Sequence, residues 1–320
     1  MLTLLIASIM FSMYIAISIG ANDETMSTVA GSRFMTVLNA AIIGGIFNLL
    51  GALLMGWKVE ETIGKGILTF RVSKFHSLAI LSSMSIWLTM ASLLGLPVSV
   101  THSVIGSAIG VGILSNGIAG VNWGTILTIV LGMLVSPITG FILSFFLYQI
   151  VKSSILKRAK GITSREYVEL NFSLLLLSSA ILTAFSKGGN DVGNATAFLS
   201  NIIGNSMIAR IICGIGMLIG LSTLGKRVLI KVGMTVVNLT PTMAFSAQFS
   251  TGIITFIATV MGLPLSSSQV LISSIIGVGY ARGMKINYKQ VVGIIVSWIL
   301  TLPVSGILAA LIVKAYYLLL

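Results

Sequence analysis

The chain contains only two aspartates, Asp23 and Asp191, and they stand in matching settings. Each follows an asparagine, in Gly20-Ala21-Asn22-Asp23 and in Gly188-Gly189-Asn190-Asp191, and each closes an apolar segment. An ionisable group at membrane depth is expensive without a partner, so it marks a functional site by default. Two hydroxyl-rich turns are duplicated in the same way. Pro97-Val98-Ser99-Val100-Thr101-His102-Ser103 is matched by Pro264-Leu265-Ser266-Ser267-Ser268-Gln269. Proline favours the first turn of a helix, so each turn reads as the start of a short helix aimed inward. Helix N-termini offer free N–H groups and partial positive charge, which suit an anion. The hydroxyls add donors without a buried charge. An Asn-Asp pair can also simply cap a helix, and a lone histidine such as His102 can be a satisfied core residue. The duplication of the polar parts favours a site. Lys187, just before the second motif, either faces the same space or reaches the interface.

The elements that hold these groups must lie in lipid. The 320 residues are 56% hydrophobic and 8% charged, with a mean hydropathy of +1.08. Soluble domains carry about 25% charged residues, so water cannot cover this surface. Residues 77–151, 232–281 and 290–313 contain no Asp, Glu, Lys or Arg. Ten hydrophobic segments follow: 2–19, 36–57, 77–95, 97–114, 123–151, 170–186, 202–224, 243–262, 265–281 and 290–313. Some are short and glycine-interrupted, as re-entrant arms would be. Backbone in lipid must satisfy its own hydrogen bonds, which predicts helices; the long apolar runs exclude the alternating strands of a barrel. The net charge of +12 comes from Lys and Arg in short loops, where they set topology and do not imply nucleic acid. The basic segment Lys152, Lys157, Arg158, Lys160, Arg165 is expected in the cytoplasm; the basic loop 58–74 is not assigned a side. Cys213 is the only cysteine, so no internal disulfide or cysteine metal site is expected. The first 19 residues lack a positive start and a cleavage signal, and read as a first transmembrane segment.

The chain repeats itself at a spacing of about 167 residues. Besides the two motifs above, Leu96-Pro97-Val98-Ser99 recurs as Leu263-Pro264-Leu265-Ser266, and Ile109-Gly110-Val111-Gly112 as Ile276-Gly277-Val278-Gly279. Ser136-Pro137-Ile138-Thr139-Gly140 has a weaker partner in Leu302-Pro303-Val304-Ser305-Gly306. The expected fold is an all-α polytopic membrane protein. An N-terminal repeat at 1–151 and a C-terminal repeat at 170–320 flank a basic cytoplasmic linker at 152–169. Five segments per half make the second repeat inverted, with re-entrant or broken helices at the midplane, an architecture common in secondary transporters.

These motifs resemble those of the inorganic phosphate transporter (PiT) family of cation-coupled symporters. That family carries G-x-N-D in each half, typically continuing N-D-V-A-N, and a P-V-S-T-T-H-S-type turn in each half. Gly188 to Asn194 is a close match, as is Pro97 to Ser103. Val59-Glu60-Glu61-Thr62-Ile63-Gly64 resembles the family's V-x-x-T-V-G segment, and Val228 to Gly233 does so less closely. Glu24, Met26, Val100, Gln269 and Lys187 depart from the pattern. The resemblance implies a phosphate site at the repeat interface, coupling to Na+ or H+, a plasma-membrane location and a homodimer. Some members carry sulfate, which stays the alternative substrate.

A bare carboxylate about 6 Å from a dianion repels it by about 5–6 kcal/mol at an effective dielectric of about 20. A bound Na+ or a proton at each aspartate removes the conflict. The expected cation ligands are therefore Asn22, Asp23, Asn190, Asp191 and Asn194. The expected anion ligands are Asn22, Ser99, Thr101, His102, Ser103, Asn190, Ser266, Ser267, Ser268 and Gln269. Hydrogen phosphate can donate to a carboxylate and sulfate cannot, which ranks phosphate first. Acidic groups beside an anion path argue against a channel. No metalloprotease, serine-hydrolase or Cys/His motif is present, no cofactor is implied, and an enzyme is not expected.

Overall fold

The computed structural model describes residues 2–31, 34–93, 99–159, 161–226, 229, 239–284 and 288–319. Leu96, Pro97, Val98, Lys160, Val228 and residues 230–233, on which expectations were placed, lie outside them. The helices are α1 (Leu2–Ala21), α2 (Ser27–Gly31), α3 (Val37–Glu61), α4 (Lys74–Leu93), α5 (Val100–Asn116) and α6 (Trp123–Val151). The second half follows with α7 (Ile162–Ile203), α8 (Ser206–Thr223), α9 (Pro241–Val260), α10 (Ser267–Arg282) and α11 (Tyr288–Leu319). Among the described residues, seven helices are long and apolar enough to cross a membrane: α1, α3, α6, α7, α8, α9 and α11.

The fold turns large apolar side chains outward. On α6, Leu127, Leu131, Leu134 and Ile138 form an exposed stripe at helical spacing, while Ser136, Gly140 and Ser144 face inward. Small inward residues let helix backbones approach where lipid offers no hydrophobic drive.

Two hairpins enter the bundle from opposite ends. The start of α4 and the ends of α3, α5 and α11 gather at one end. Thr69 there donates to the Ala119 carbonyl at 2.7 Å, Asn122 N–H donates to the Ile67 carbonyl at 2.8 Å, and His76 meets Tyr317 at 3.3 Å. Helix α6 leaves this end and finishes at the other, where Glu169 of α7 accepts from both the N–H and the hydroxyl of Thr242 at 2.9 Å. Thus α4–α5 projects from the first end and α9–α10 from the second. The tip of α9–α10 turns at Gly262, whose φ of 71° favours glycine. It is pinned to α3 by Lys58 on the Val260 carbonyl and Thr62 on the Gly262 carbonyl, both at 2.7 Å.

Helix packing is reciprocal between the halves. A Cβ on Gly188 would overlap the Asn48 carbonyl, and one on Gly51 would overlap that of Phe185. One repeat away, a Cβ on Gly20 would overlap the Met217 carbonyl, and one on Gly220 that of Ile17. The α3–α7 and α1–α8 interfaces are thus the same contact made twice. The close α5–α11 approach at Gly110 and Gly306 likewise has its image in α6–α10 at Gly277 and Phe141.

The two aspartate motifs differ in backbone. Segment 170–186 extends, as part of α7, through Asp191 to Ile203, so Asp191 lies within a helix and does not close one. Asp23 does follow the end of α1. Its carboxylate accepts from the Thr25 N–H at 2.9 Å, a local turn that competes with helix. Asn190, by contrast, reaches across to α9 and the hairpin tip, leaving its own helix intact.

Candidate functional site

The first residues of α5 and the turn into α10 meet beside Asn190, Asp191 and Asn194 of α7. Ser99 caps α5, accepting from His102 N–H at 3.4 Å. Ser266 occupies the cap position of α10 without making a side-chain cap bond. Pro264 lies before that helix and not in its first turn, so serine begins it. The first N–H groups of both helices have no intrahelical acceptor. Thr101 donates to the Leu265 carbonyl at 3.1 Å, joining the tips directly.

Between them lies a cavity of about 40 Å³, enough for a few waters or a small ion. Its wall includes Asn22, Ser99, Thr101, Asp191, Ser266, Ser267 and Ser268 from the expected set, together with Ser18 and Lys187. Asn190 and Asn194 act as braces. Asn190 donates to Thr259 at 3.2 Å and to the Leu263 carbonyl at 3.0 Å, and accepts from Leu265 N–H at 3.1 Å. Asn194 donates to Thr101 at 3.2 Å, and its own side-chain oxygen takes no hydrogen bond among the described residues. His102, Ser103 and Gln269 are not part of the cavity wall.

The charged groups form one buried cluster. Lys187, 3% exposed, places its ammonium 3.2 Å from Asp23 Oδ1, 3.4 Å from Glu24 Oε1 and 3.9 Å from Asp191 Oδ2. Lys187 therefore does not snorkel to the interface. Asp23 Oδ2 also accepts from Asn48 Nδ2 at 2.8 Å. Asp191 accepts from the Ser267 hydroxyl at 3.0 and 3.2 Å. Gln248 of α9 donates to the Thr25 carbonyl and to Thr28, holding the Asp23 turn from the other half. Three carboxylates against one ammonium leave a net charge of −2 when all are ionised. Such a centre attracts cations, while the adjoining helix N-termini and hydroxyls suit an anion.

Sequence reasoning did not assign Glu24, Asn48 or Gln248. Glu24 was visible as a departure from the family pattern at a buried position. Asn48 and Gln248 had no signal beyond being polar within apolar segments.

The chain matches the family described as the phosphate transporter family over residues 19–309. A relative from Pyrococcus abyssi, described as a phosphate permease, is 32% identical, with 97% of each chain covered. The chloroplastic inorganic phosphate transporter 2-1 of Arabidopsis thaliana is 28% identical, covering 95% of this chain and 71% of that one. A solved structure of a sodium-dependent phosphate transporter superposes with a TM-score of 0.92 at 28% identity, covering 99% of this chain and all of that one. The duplicated Asn-Asp motifs, the two hairpin tips and the whole-chain likeness agree: the chain belongs to the phosphate transporter family, as a membrane transporter and not an enzyme.

Proposed function

We propose that the chain imports inorganic phosphate by symport with Na+ (or H+), with alternating access at the interface of the repeats 1–151 and 170–320. The observation that carries this reading is the shared cavity. Two hydroxyl-bearing helix N-termini from opposite halves, Ser99/Thr101 and Ser266/Ser267/Ser268, open on the same small space as Asp191. The hydroxyls and N–H groups supply donors to the anion. Asp191, with the neutral oxygens of Asn22, Asn190 and Asn194, supplies the cation side, and Asp23 completes the acidic cluster. An anion meeting a centre of net charge −2 is repelled until cations enter, which couples the two. A sodium coupling ion is supported by the likeness to a sodium-dependent transporter. The linker 152–169 then faces the cytoplasm of a plasma-membrane protein.

The test is uptake of radiolabelled phosphate into proteoliposomes with an inward Na+ or H+ gradient and excess unlabelled sulfate. Phosphate accumulates above the outside concentration only with the gradient, and sulfate does not compete. Accumulation that ignores both gradients, or labelled sulfate entering in place of phosphate, refutes the reading.

A further inference from the structure

The two aspartates occupy equivalent places in the repeats, yet their surroundings differ sharply. Asp23 is 0% exposed and absent from the cavity wall. Both its oxygens are engaged, one by Lys187 and Thr25 N–H, the other by Asn48. Asp191 lines the cavity and, among the described residues, its carboxylate takes a hydrogen bond only from Ser267. Lys187 stands one helical turn before Asp191 but sits closer to Asp23, at 3.2 Å against 3.9 Å.

On the reading of this chain as a sodium-coupled phosphate symporter, we propose that the Lys187 ammonium is a resident cation. It fills the place beside Asp23 that a sodium would otherwise take, so exchangeable sodium binds at Asp191 and each phosphate travels with one sodium fewer. The geometry fits a tethered ion. The ammonium is buried, carries the single positive charge a sodium would carry, and is clamped by a third carboxylate, Glu24. A buried lysine without such partners would be unstable as a cation. Asn48 Oδ1 and Gln248 Oε1 are buried without a hydrogen-bond donor among the described residues, and each belongs to a side chain already bonded to Asp23 or its turn. Both amides now turn their N–H groups toward Asp23 and its turn; turned over, each offers a hard neutral oxygen to a sodium at Asp23 once the ammonium is removed. While Lys187 is in place, its charge keeps a second cation out.

The rival account is that Lys187 merely neutralises Glu24. The two accounts separate in the double variant E24Q/K187M, which removes both charges. The measurement is 22Na+ bound per full-length protein in detergent, which needs no turnover, alongside sodium activation of phosphate uptake in proteoliposomes. K187M is expected to bind one more sodium than the unmodified chain and to show a steeper sodium-activation curve. E24Q/K187M is expected to do the same, because Asp23 still lacks its cation, and K187R to keep the original sodium number. A K187M protein with the original number or none, or a double variant that binds like the unmodified chain, overturns the proposal. If the unmodified chain itself shows no sodium-dependent uptake, the sodium-coupled reading fails, independently of any variant.

Discussion

Asp191→Asn isolates the charge at the cavity wall. The amide has the size of the carboxylate and can still accept from Ser267, whose hydroxyl now lies 3.0 and 3.2 Å from the two oxygens. Lys187 keeps its two nearer partners, Asp23 at 3.2 Å and Glu24 at 3.4 Å. The substitution should therefore leave folding nearly unchanged and remove one unit of charge. For a cation held within about 4 Å, that charge contributes about 4 kcal/mol at an effective dielectric of about 20. At about 1.4 kcal/mol per decade, sodium affinity should fall by about three decades. The assay is a sodium titration of phosphate uptake in proteoliposomes, with melting in detergent as the folding control. A variant that melts like the unmodified chain yet keeps its half-saturating sodium concentration would show that Asp191 holds no cation. Asp23→Asn should behave differently: it takes from the buried ammonium its nearest carboxylate, at 3.2 Å, leaving Glu24 at 3.4 Å and Asp191 at 3.9 Å, so it should lower the melting temperature while costing less than the about 3–5 kcal/mol of a buried pair broken outright.

Other expectations follow from the packing and from the hydroxyl beside Asp191. Gly20→Ala and Gly188→Ala should destabilise alike, each by about 1–3 kcal/mol, because each new methyl group meets a carbonyl of the facing helix; Gly132→Ala, with open space around it, should not lower the melting temperature. Arg210→Ala strands the buried carboxylate of Glu60, which among the described residues would keep only the Ser206 hydroxyl at 2.6 Å, and should cost about 3–5 kcal/mol in a detergent melt. Ser267→Ala removes the hydrogen bond to Asp191, worth about 1.5–3 kcal/mol for a charged acceptor, and should raise the sodium and phosphate concentrations for half-maximal uptake together; a change in neither refutes its place in the site.

The sequence made the skeleton legible because lipid imposes a simple rule. Charge-free runs of this length must be helices, and each of the ten hydrophobic segments has most of its described residues on a helix. Of the residues in the duplicated Asn-Asp and serine turns, Asn22, Asp191, Ser99, Thr101 and Ser266 to Ser268 line one cavity, whereas Asp23, Asn190, His102, Ser103 and Gln269 are not part of its wall. Three features were not legible. Helix α7 runs on through its motif because Asn190 bonds across the bundle, a tertiary choice that periodicity does not report. Lys187 was ambiguous, because a lysine near a helix end can snorkel or turn inward, and only the three facing carboxylates decide it. Asn48 and Gln248 each sit on a single-copy position whose value depends entirely on what the other half places opposite.

The symmetry of the scaffold and the asymmetry of the site answer different demands. Bringing two hairpins from opposite ends to one point needs two matched cradles, and the paired glycine contacts at Gly20/Gly188 and Gly51/Gly220 provide them. One-residue changes there would push a whole helix, so the repeats stay alike. The polar positions are not bound in this way. Ser267, which bonds Asp191, faces its repeat counterpart Val100 in the first half, and Val100 has no hydroxyl to offer Asp23. Asn48, which bonds Asp23, has its counterpart in Met217, which can donate nothing to Asp191. Asn194 corresponds to Met26. Asn48 thus ties down Asp23 alone, and Ser267 bonds Asp191 alone, so the two carboxylates keep different partners. A single small anion cannot use two equivalent cation sites equivalently once one is sealed by a lysine. With Lys187 as the resident cation proposed above, this divergence leaves one exchangeable carboxylate, Asp191, and one fixed pair, Asp23 with Lys187.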